Sequence, residues 1–119
     1  MTITNDSMLV LGRKFMESRI FLSAAELDLF TLLSDNSMSA EEVAGKLDVT
    51  IRGITILLDA VVSMDLLEKN NGKYHCPAET ASILSVKSET SIMPMVMHSA
   101  VLWERWSKLT DIVRNGTGK

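Results

Sequence analysis

The chain has 119 residues, a formal net charge of -3 at pH 7 and a single cysteine, Cys76. A chain of this length forms one domain with a modest core, and its negative charge excludes a general attraction to nucleic-acid phosphates. One cysteine excludes an internal disulfide, and no apolar run approaches the ~20 residues that span a bilayer, so we expect a cytoplasmic protein that does not bind membranes.

The N-terminal part of the chain is predicted to be helical, because apolar residues recur at helical spacing from Met8 to Leu33. This apolar stripe is wider than the ~100° arc that one core contact needs. Hydrophobic residues also make up 46% of the chain, which is high for a small monomer. We therefore expect one helix, or a broken pair of helices, that packs both on its own core and on another chain.

The sequence from Ser39 to Met64 predicts a helix-turn-helix. Ser39 and Glu42 match the S-x-x-E capping box, which predicts a helix from Ser39 to about Leu47. Thr50 can cap a second helix after a short link. The apolar stripe of that second helix comprises Ile51, Ile54, Leu58 and Val61.

A hairpin and further helices are predicted after the helix-turn-helix. Asn71 and Gly72 lie between two short extended stretches and suit the positive φ angles of a type I′ turn, so we predict a two-stranded wing. The stretch PAETASILS predicts a brief helix, and a long helix is predicted from near Ser91 to Asn115 and Gly116. The predicted fold is therefore mainly α: a winged helix flanked by long N- and C-terminal helices.

The winged-helix shape is used by many DNA-binding proteins, so a transcription regulator is one functional interpretation. The side chains argue against it, because base edges and phosphates are bound mainly by Arg, Lys, Asn and Gln. On the outward face of the second helix, Asp59 cancels the charge of Arg52, and the wing adds only Lys69 and Lys73. We expect no nucleic-acid binding and keep the regulator as the alternative function. The outward face comprises Arg52, Thr55, Ile56, Asp59 and Ser63.

The chain offers few side chains for metal binding or catalysis. His75, Cys76 and His98 are its soft metal ligands, and adjacent residues of a strand point to opposite faces, so His75 and Cys76 cannot easily share a metal. Two histidines and one cysteine support no nucleophile and base pair. The sequence also lacks a strand followed by a glycine-rich turn and a helix, the arrangement that binds nucleotide-like cofactors. We predict no catalytic, cofactor-binding or metal-binding residue in this chain.

Two groups of large side chains mark the predicted last helix. Trp103 and Trp106 lie three residues apart and on one side, where indoles anchor an interface or line an apolar pocket. Met93, Met95 and Met97 have flexible thioethers, which suit irregular or shared apolar surfaces. Packing in the chain's own core is the other interpretation of both groups.

Three stretches together resemble the N-terminal dimerisation domain of S-adenosylmethionine-dependent O-methyltransferases that act on small phenolic or polyketide-like substrates. They are FMESRIFLSAAELDLFTLL from Phe15, MSAEEVAGKLDVTIRGITILLDAVVSMDLLEKNNGKYHC from Met38, and HSAVLWERWSKLTDIVRNG from His98. The resemblance covers nearly the whole chain. It implies that the winged helix serves dimerisation, with long helices intertwined between two subunits.

The resemblance also implies that the parent enzyme has a Rossmann-like catalytic domain, which binds S-adenosylmethionine. We expect residues 1–119 to be a single winged-helix dimerisation domain that lacks this catalytic domain and, alone, neither catalyses a reaction nor binds the cofactor. It would form a homodimer, and a small-molecule substrate would bind only together with a catalytic domain. The predicted dimer interface comprises Phe15, Met16, Ile20, Phe21, Leu102, Trp106 and Leu109. Related enzymes also roof the acceptor-substrate pocket with the last helix of this domain. The matching residues here are Met97, His98, Leu102 and Trp103.

Overall fold

The computed structural model describes residues 2–116 and shows eight helices and one two-stranded sheet within them. The N-terminal part contains α1 (Asn5–Arg13), α2 (Phe15–Glu26) and α3 (Leu29–Asp35), so the prediction of one helix or a broken pair is wrong. Helix α1 follows a capping box at Thr4, so its first residue, Asn5, lies three residues before Met8, where the predicted apolar stripe starts. Asp28 has a φ of 53°, in the left-handed region, and this residue separates α2 from α3.

Helices α4 (Ala40–Leu47) and α5 (Ile51–Ser63) form the predicted helix-turn-helix. Ser39 Oγ accepts a hydrogen bond from the backbone N–H of Glu42, and Glu42 Oε1 accepts one from the N–H of Ser39, both at 3.1 Å. The predicted capping box is therefore confirmed. Thr50 Oγ1 accepts a backbone N–H at 3.1 Å in the first turn of α5, which confirms the second cap.

Strands β1 (Glu68–Asn70) and β2 (Lys73–His75) pair in antiparallel fashion and form the predicted wing. The Asn-Gly pair between them has φ angles of 52° and 76°, as a type I′ turn requires. Tyr74 also exchanges two backbone hydrogen bonds with Met38, with N–O distances of 2.7 and 3.1 Å. These bonds hold the wing against the residues that precede α4.

Three helices complete the fold: α6 (Ala78–Leu84), α7 (Met93–Trp106) and α8 (Leu109–Asn115). Helix α6 confirms the predicted brief helix, but the prediction of one continuous last helix is wrong. The break lies at Ser107, whose Oγ donates to the carbonyl three residues earlier at 2.6 Å, a type of bond that bends helices. Gly116 ends α8 with a φ of 67°, as predicted.

The hydrophobic core lies around α2, which packs against both α5 and α7, while α3 contacts α6 and β2. Phe30 and Tyr74 are the largest fully buried side chains. The predicted stripe of α5 is confirmed by three buried residues, Ile54, Leu58 and Val61. Ile51, the fourth predicted member of the stripe, is 52% exposed because it is the first residue of the helix and lies beyond the edge of the core.

Candidate subunit interface

Helix α1 contains four large apolar residues among its nine but contributes nothing to the core. None of its residues is buried, and the four consecutive residues from Met8 to Leu11 are 41–59% exposed. Because successive helical residues lie about 100° apart, these four side chains cover every side of the helix. The radius of gyration is 16.8 Å, whereas a compact domain of this length has about 13 to 14 Å, so the molecule is extended. Helix α1 therefore presents apolar surface that its own chain does not cover.

The predicted interface residues of α2 fall into two groups. Phe15 and Met16, in the first turn, are 56% and 49% exposed. Ile20 and Phe21 are half-buried and pack against the chain's own core, and the ring of Phe21 lies 6.1 Å from that of Phe30. The start of α2 is thus open for another chain, and its middle is shared with the core.

The predicted interface residues of α7 and α8 are mostly exposed. Trp106 is 67% exposed and Leu109 is 48% exposed, while Leu102 is half-buried. Helical spacing places Met95 and His98 on the same face as Leu102 and Trp106. This face of α7 points away from the core, which is contacted by Met93 and Val96.

Within the methionine and tryptophan groups, some residues pack in the core and others are exposed, where they are available for an interface or a pocket. Met93 is buried, whereas Met95 is 71% exposed and Met97 is 37% exposed. Trp103 packs against the core, and the guanidinium carbon of Arg19 lies 5.1 Å from the centre of its ring. Trp106, in contrast, faces solvent.

The four residues predicted to roof a substrate pocket do not share one face of α7. His98 and Leu102 lie on the outward face, and Trp103 is turned toward α2. Met97 lines a different feature, a groove of about 720 Å³ beside α7 and α8. The roof role of these residues stays a prediction.

This groove, which we call the α7–α8 groove, escaped sequence reasoning because it depends on the break between the two helices. Apolar side chains alternate in it with charged ones of both signs. The lining residues are Glu26, Met97, Ala100, Val101, Glu104, Arg105, Lys108 and Ile112. Within it, Lys108 Nζ lies 3.9 Å from Glu104 Oε1, which matches the i,i+4 spacing of this pair.

A DNA-binding winged helix would present basic groups on the outward face of α5. Here this face instead forms hydrogen bonds with side chains of the wing. Asp59 Oδ1 accepts hydrogen bonds from Tyr74 Oη at 2.5 Å and from Lys69 Nζ at 3.2 Å. The bond from Tyr74 holds the pKa of Asp59 below its usual value. The second wing lysine, Lys73, lies 3.7 Å from Glu42. Both wing lysines are therefore paired with carboxylates, and the sequence alone gave no sign of the Asp59 contact.

The family of the chain follows from comparison with known proteins. A family model described as the O-methyltransferase dimerisation domain matches residues 9–87. This chain belongs to that family. The dimerisation domain is 32% identical over 111 residues to the N,N-dimethyltransferase OxyT of Streptomyces rimosus, a match that covers 92% of this chain and 32% of OxyT. It is 30% identical over 118 residues to PigF, an S-adenosyl-L-methionine-dependent methyl transferase of Serratia sp., with 98% and 34% of the two chains covered.

Solved structures agree with this assignment of the dimerisation domain. The structure of PigF with SAH has a TM-score of 0.83 at 27% identity and is matched over 96% of this chain and 34% of PigF. Human N-acetylserotonin methyltransferase in complex with SAM has a TM-score of 0.78 at 29% identity, with 97% and 36% covered. The chain spans about a third of the length of these relatives. The predicted fold and the interpretation as a methyltransferase dimerisation domain are confirmed, and the alternative of a transcription regulator is not supported.

The part of the chain that the structure describes lacks the strand, glycine-rich turn and helix that typically bind a nucleotide-like cofactor. Residues 2–116 contain one antiparallel hairpin and no parallel strand that leads through a glycine-rich turn into a helix. Over the same residues no group of three or more histidine, cysteine or acidic side chains is placed to hold a metal ion.

Cys76 is 1% exposed, and burial raises the pKa of its thiol to about 11. Of the helices in this range, none is both long and apolar enough to cross a membrane.

Proposed function

We propose that this dimerisation domain forms the subunit interface of an S-adenosylmethionine-dependent O-methyltransferase of small molecules, and that two copies associate as a symmetric homodimer. The observation that carries the proposal is α1, a nine-residue helix with no buried residue and with apolar side chains on every side. Four consecutive large apolar side chains, exposed on a helix that also has Asp6 and Arg13, form a surface typical of an interface with another chain. A two-fold axis would cover the equivalent surfaces of both copies at once.

The proposed interface combines α1 with the residues predicted from the sequence. Four of the predicted residues have largely exposed side chains: Phe15, Met16, Trp106 and Leu109. The other three are half-buried and would contribute only the exposed part of each side chain: Ile20, Phe21 and Leu102. If the helices of two subunits intertwine, the total buried area should reach the obligate class, at or above about 2,000 Å².

Methyl transfer would take place in a separate catalytic domain of the whole enzyme, which would bind S-adenosylmethionine. The dimerisation domain would contribute no catalytic residue. Met97, His98 and Leu102 would roof the acceptor pocket beside that domain, and Trp103, held against Arg19, would fix the position of α7 beneath them. The substrate would thus meet this chain only through α7.

We also propose that the enzyme is cytoplasmic and does not bind nucleic acid. A free, buried cysteine is typical of proteins from a reducing compartment. Lys69 and Lys73 each lie beside a carboxylate, whose charge offsets the attraction of the wing for phosphates.

Sedimentation equilibrium of the chain at micromolar concentration tests the proposed function. We expect a dimer, and a melting temperature that rises with protein concentration, because association stabilises the folded state by mass action. A well-folded monomer at these concentrations would contradict both the interface and the function derived from it.

A further inference from the structure

We propose that a pocket beside α6 binds a small organic cation with an apolar body, such as a protonated arylalkylamine. The pocket, which we call the α6 pocket, lies where α6 meets the middle of α2, the link between α5 and β1, and the residue before α7. Its volume is about 420 Å³, and small-molecule sites typically have ~300 to 1,000 Å³. The site goes beyond the proposed function, which assigns no ligand to this part of the chain.

The interior of the α6 pocket is apolar. Leu84 is 4% exposed, and Phe21 and Leu66 are half-buried against the chain's own core, so these three side chains form a fixed floor. Ile83 and Ile92 are 45% and 44% exposed and form the walls. The backbone N–H of Ile92 donates to the carbonyl of Ile83 at 2.8 Å, which holds the two walls together. An apolar group in the pocket would therefore bury surface of both isoleucines.

The rim of the α6 pocket is negatively charged. Asp65, in the link before β1, and Glu79, in the first turn of α6, are both exposed and both line the pocket. Among the described residues neither carboxylate forms an ion pair, and within residues 2–116 no arginine, lysine or histidine lines the pocket. Thr80 adds a half-buried hydroxyl oxygen, which can accept a hydrogen bond from an ammonium group.

The carboxylates of the α7–α8 groove are in a different situation. Glu26 is paired with Arg19, and Glu104 Oε1 lies 3.9 Å from Lys108 Nζ, so cations of the same chain already offset both charges. The α6 pocket instead combines uncompensated negative charge with exposed apolar surface. An organic cation matches both features, whereas an anion would be repelled, an inorganic cation would leave the isoleucines exposed, and a neutral apolar ligand would gain nothing from the carboxylates.

NMR titration of the isotope-labelled chain with phenethylamine at pH 7, where the amine is protonated, tests the site. We expect saturable shifts centred on the backbone amides of Leu66, Thr80 and Ile83, and weaker binding at high salt. Phenethyl alcohol, which has the same apolar body without the charge, should bind about tenfold more weakly, and the anion hydrocinnamate should not bind. Equal affinity for the amine and the alcohol, or shifts centred outside the α6 pocket, would overturn the proposal.

Matched variants test the role of the two carboxylates. Asp65→Asn and Glu79→Gln should each weaken amine binding about threefold, and both together about tenfold, because each removes one charge from an exposed rim. Asp48→Asn is the control for the first, since Asp48 is also exposed and has a φ of 54°, against 62° for Asp65. Glu41→Gln is the control for the second, since Glu41 is also exposed in the first turn of its helix. Equal effects of variants and controls would overturn the site.

Phe21 belongs both to the α6 pocket and to the predicted dimer interface, and sedimentation equilibrium with and without phenethylamine separates these roles. We expect a dimer in both conditions, because Phe21 is one of several residues in the proposed interface. Release of monomer by the amine would show that the partner subunit occupies the pocket, which would overturn the site. A monomer without the amine would contradict the proposed function and leave intact the α6 pocket, which one chain forms by itself.

Discussion

Asp59 shows how one residue changes the role of a winged helix. It lies on the outward face of α5, where a carboxylate would repel DNA phosphates, and it accepts hydrogen bonds from Tyr74 and Lys69. Lys69 Nζ also lies 5.0 Å from the centre of the Tyr74 ring. The three side chains connect α5 with both strands of the wing, so a surface that other winged helices use for DNA here stabilises the fold.

We expect Asp59→Asn to destabilise the domain by about 1 kcal/mol at pH 7, because a half-exposed acceptor loses its charge. The pKa of Asp59 is lowered in the folded state, so its contribution is present above the unfolded value, near pH 4, and is lost as pH falls through the folded pKa. Urea unfolding should therefore show a difference from wild type at pH 7 that shrinks toward pH 2.

The matched control for this variant is Asp65→Asn, which removes the same charge from an exposed residue in the left-handed region, where asparagine is well tolerated. Its unfolding free energy should stay within about 0.5 kcal/mol of wild type. If Asp59→Asn lost the same stability at pH 2 as at pH 7, the charge of Asp59 would not be the cause.

Ser39→Ala should lower the unfolding free energy by roughly 1 kcal/mol, because it removes the acceptor of the capping box at α4. Thermal or urea melts measure this change. Ser63→Ala is a suitable control, since the Ser63 hydroxyl only donates to a carbonyl of its own helix, and its removal should be close to neutral. Equal effects of the two substitutions would show that α4 is held by tertiary contacts and not by its cap.

At the scale of the elements, the two helices of the helix-turn-helix each contain an exposed glycine in a different environment. A Cβ added at Gly45 in α4 would meet no atom within 4 Å, whereas one added at Gly53 in α5 would lie 2.7 Å from Thr50 Oγ1. Thr50 Oγ1 is the acceptor that caps α5, so a side chain at Gly53 displaces the cap.

We therefore expect Gly45→Ala to stabilise the domain by about 0.5 to 1 kcal/mol, because alanine loses less backbone entropy in a helix. Gly53→Ala should bring no net gain, since the lost cap offsets the same helix propensity. Urea unfolding of the two variants side by side is the measurement. Equal stabilisation by both would mean that the Thr50 cap contributes little.

The elements that sequence patterns predicted correctly are those with a local chemical signal. The capping box at Ser39 and the Asn-Gly turn of the wing involve neighbours in the chain, so their residue types are sufficient evidence. The positions of the breaks at Asp28 and Ser107 were not predicted, because neither residue is a glycine or proline. Asp28 adopts a left-handed conformation, and Ser107 bonds back to its own helix, and both choices depend on the packing of the flanking helices.

At the scale of the whole molecule, composition indicated a shared interface but could not locate it. Phe15 and Phe21 lie on the same helix and have the same chemistry, yet Phe15 is 56% exposed and Phe21 packs on Phe30. Their difference follows from where α2 meets the core, which periodicity does not specify. The α7–α8 groove depends on a helix break that the sequence pattern does not show, so no list of apolar residues could have located it.

The isolated dimerisation domain should not bind S-adenosylmethionine, because residues 2–116 provide no glycine-rich turn between a parallel strand and a helix. Calorimetry with the purified chain should give no heat of binding at micromolar cofactor. PigF, whose structure contains SAH, is the positive control. Micromolar affinity for the isolated chain would contradict this prediction and would require a cofactor site built from the winged helix itself.

A substitution in α1 tests association more specifically than a substitution at the predicted interface residues of α2. Replacing Phe21 with aspartate would damage the chain's own core as well as the interface, so unfolding or aggregation is the expected result. Leu11 lies in α1 and is 51% exposed, with no residue of that helix buried. A charged side chain in place of Leu11 should therefore disrupt contacts with a partner chain and leave the fold of its own chain intact.

We expect Leu11→Asp to weaken dimerisation at least tenfold in sedimentation equilibrium while the circular dichroism spectrum keeps its helical signal. The core that includes Phe30 and Tyr74 is formed within one chain, so the separated subunit retains it. The rise of its melting temperature with protein concentration should also shift to higher concentrations, because a weaker dimer is stabilised by mass action only there. Ile56→Asp places the same charge at an apolar residue of α5 that is 63% exposed, against 51% for Leu11, and should leave the dimer intact. If Leu11→Asp dimerised as tightly as Ile56→Asp, α1 would have no part in the interface.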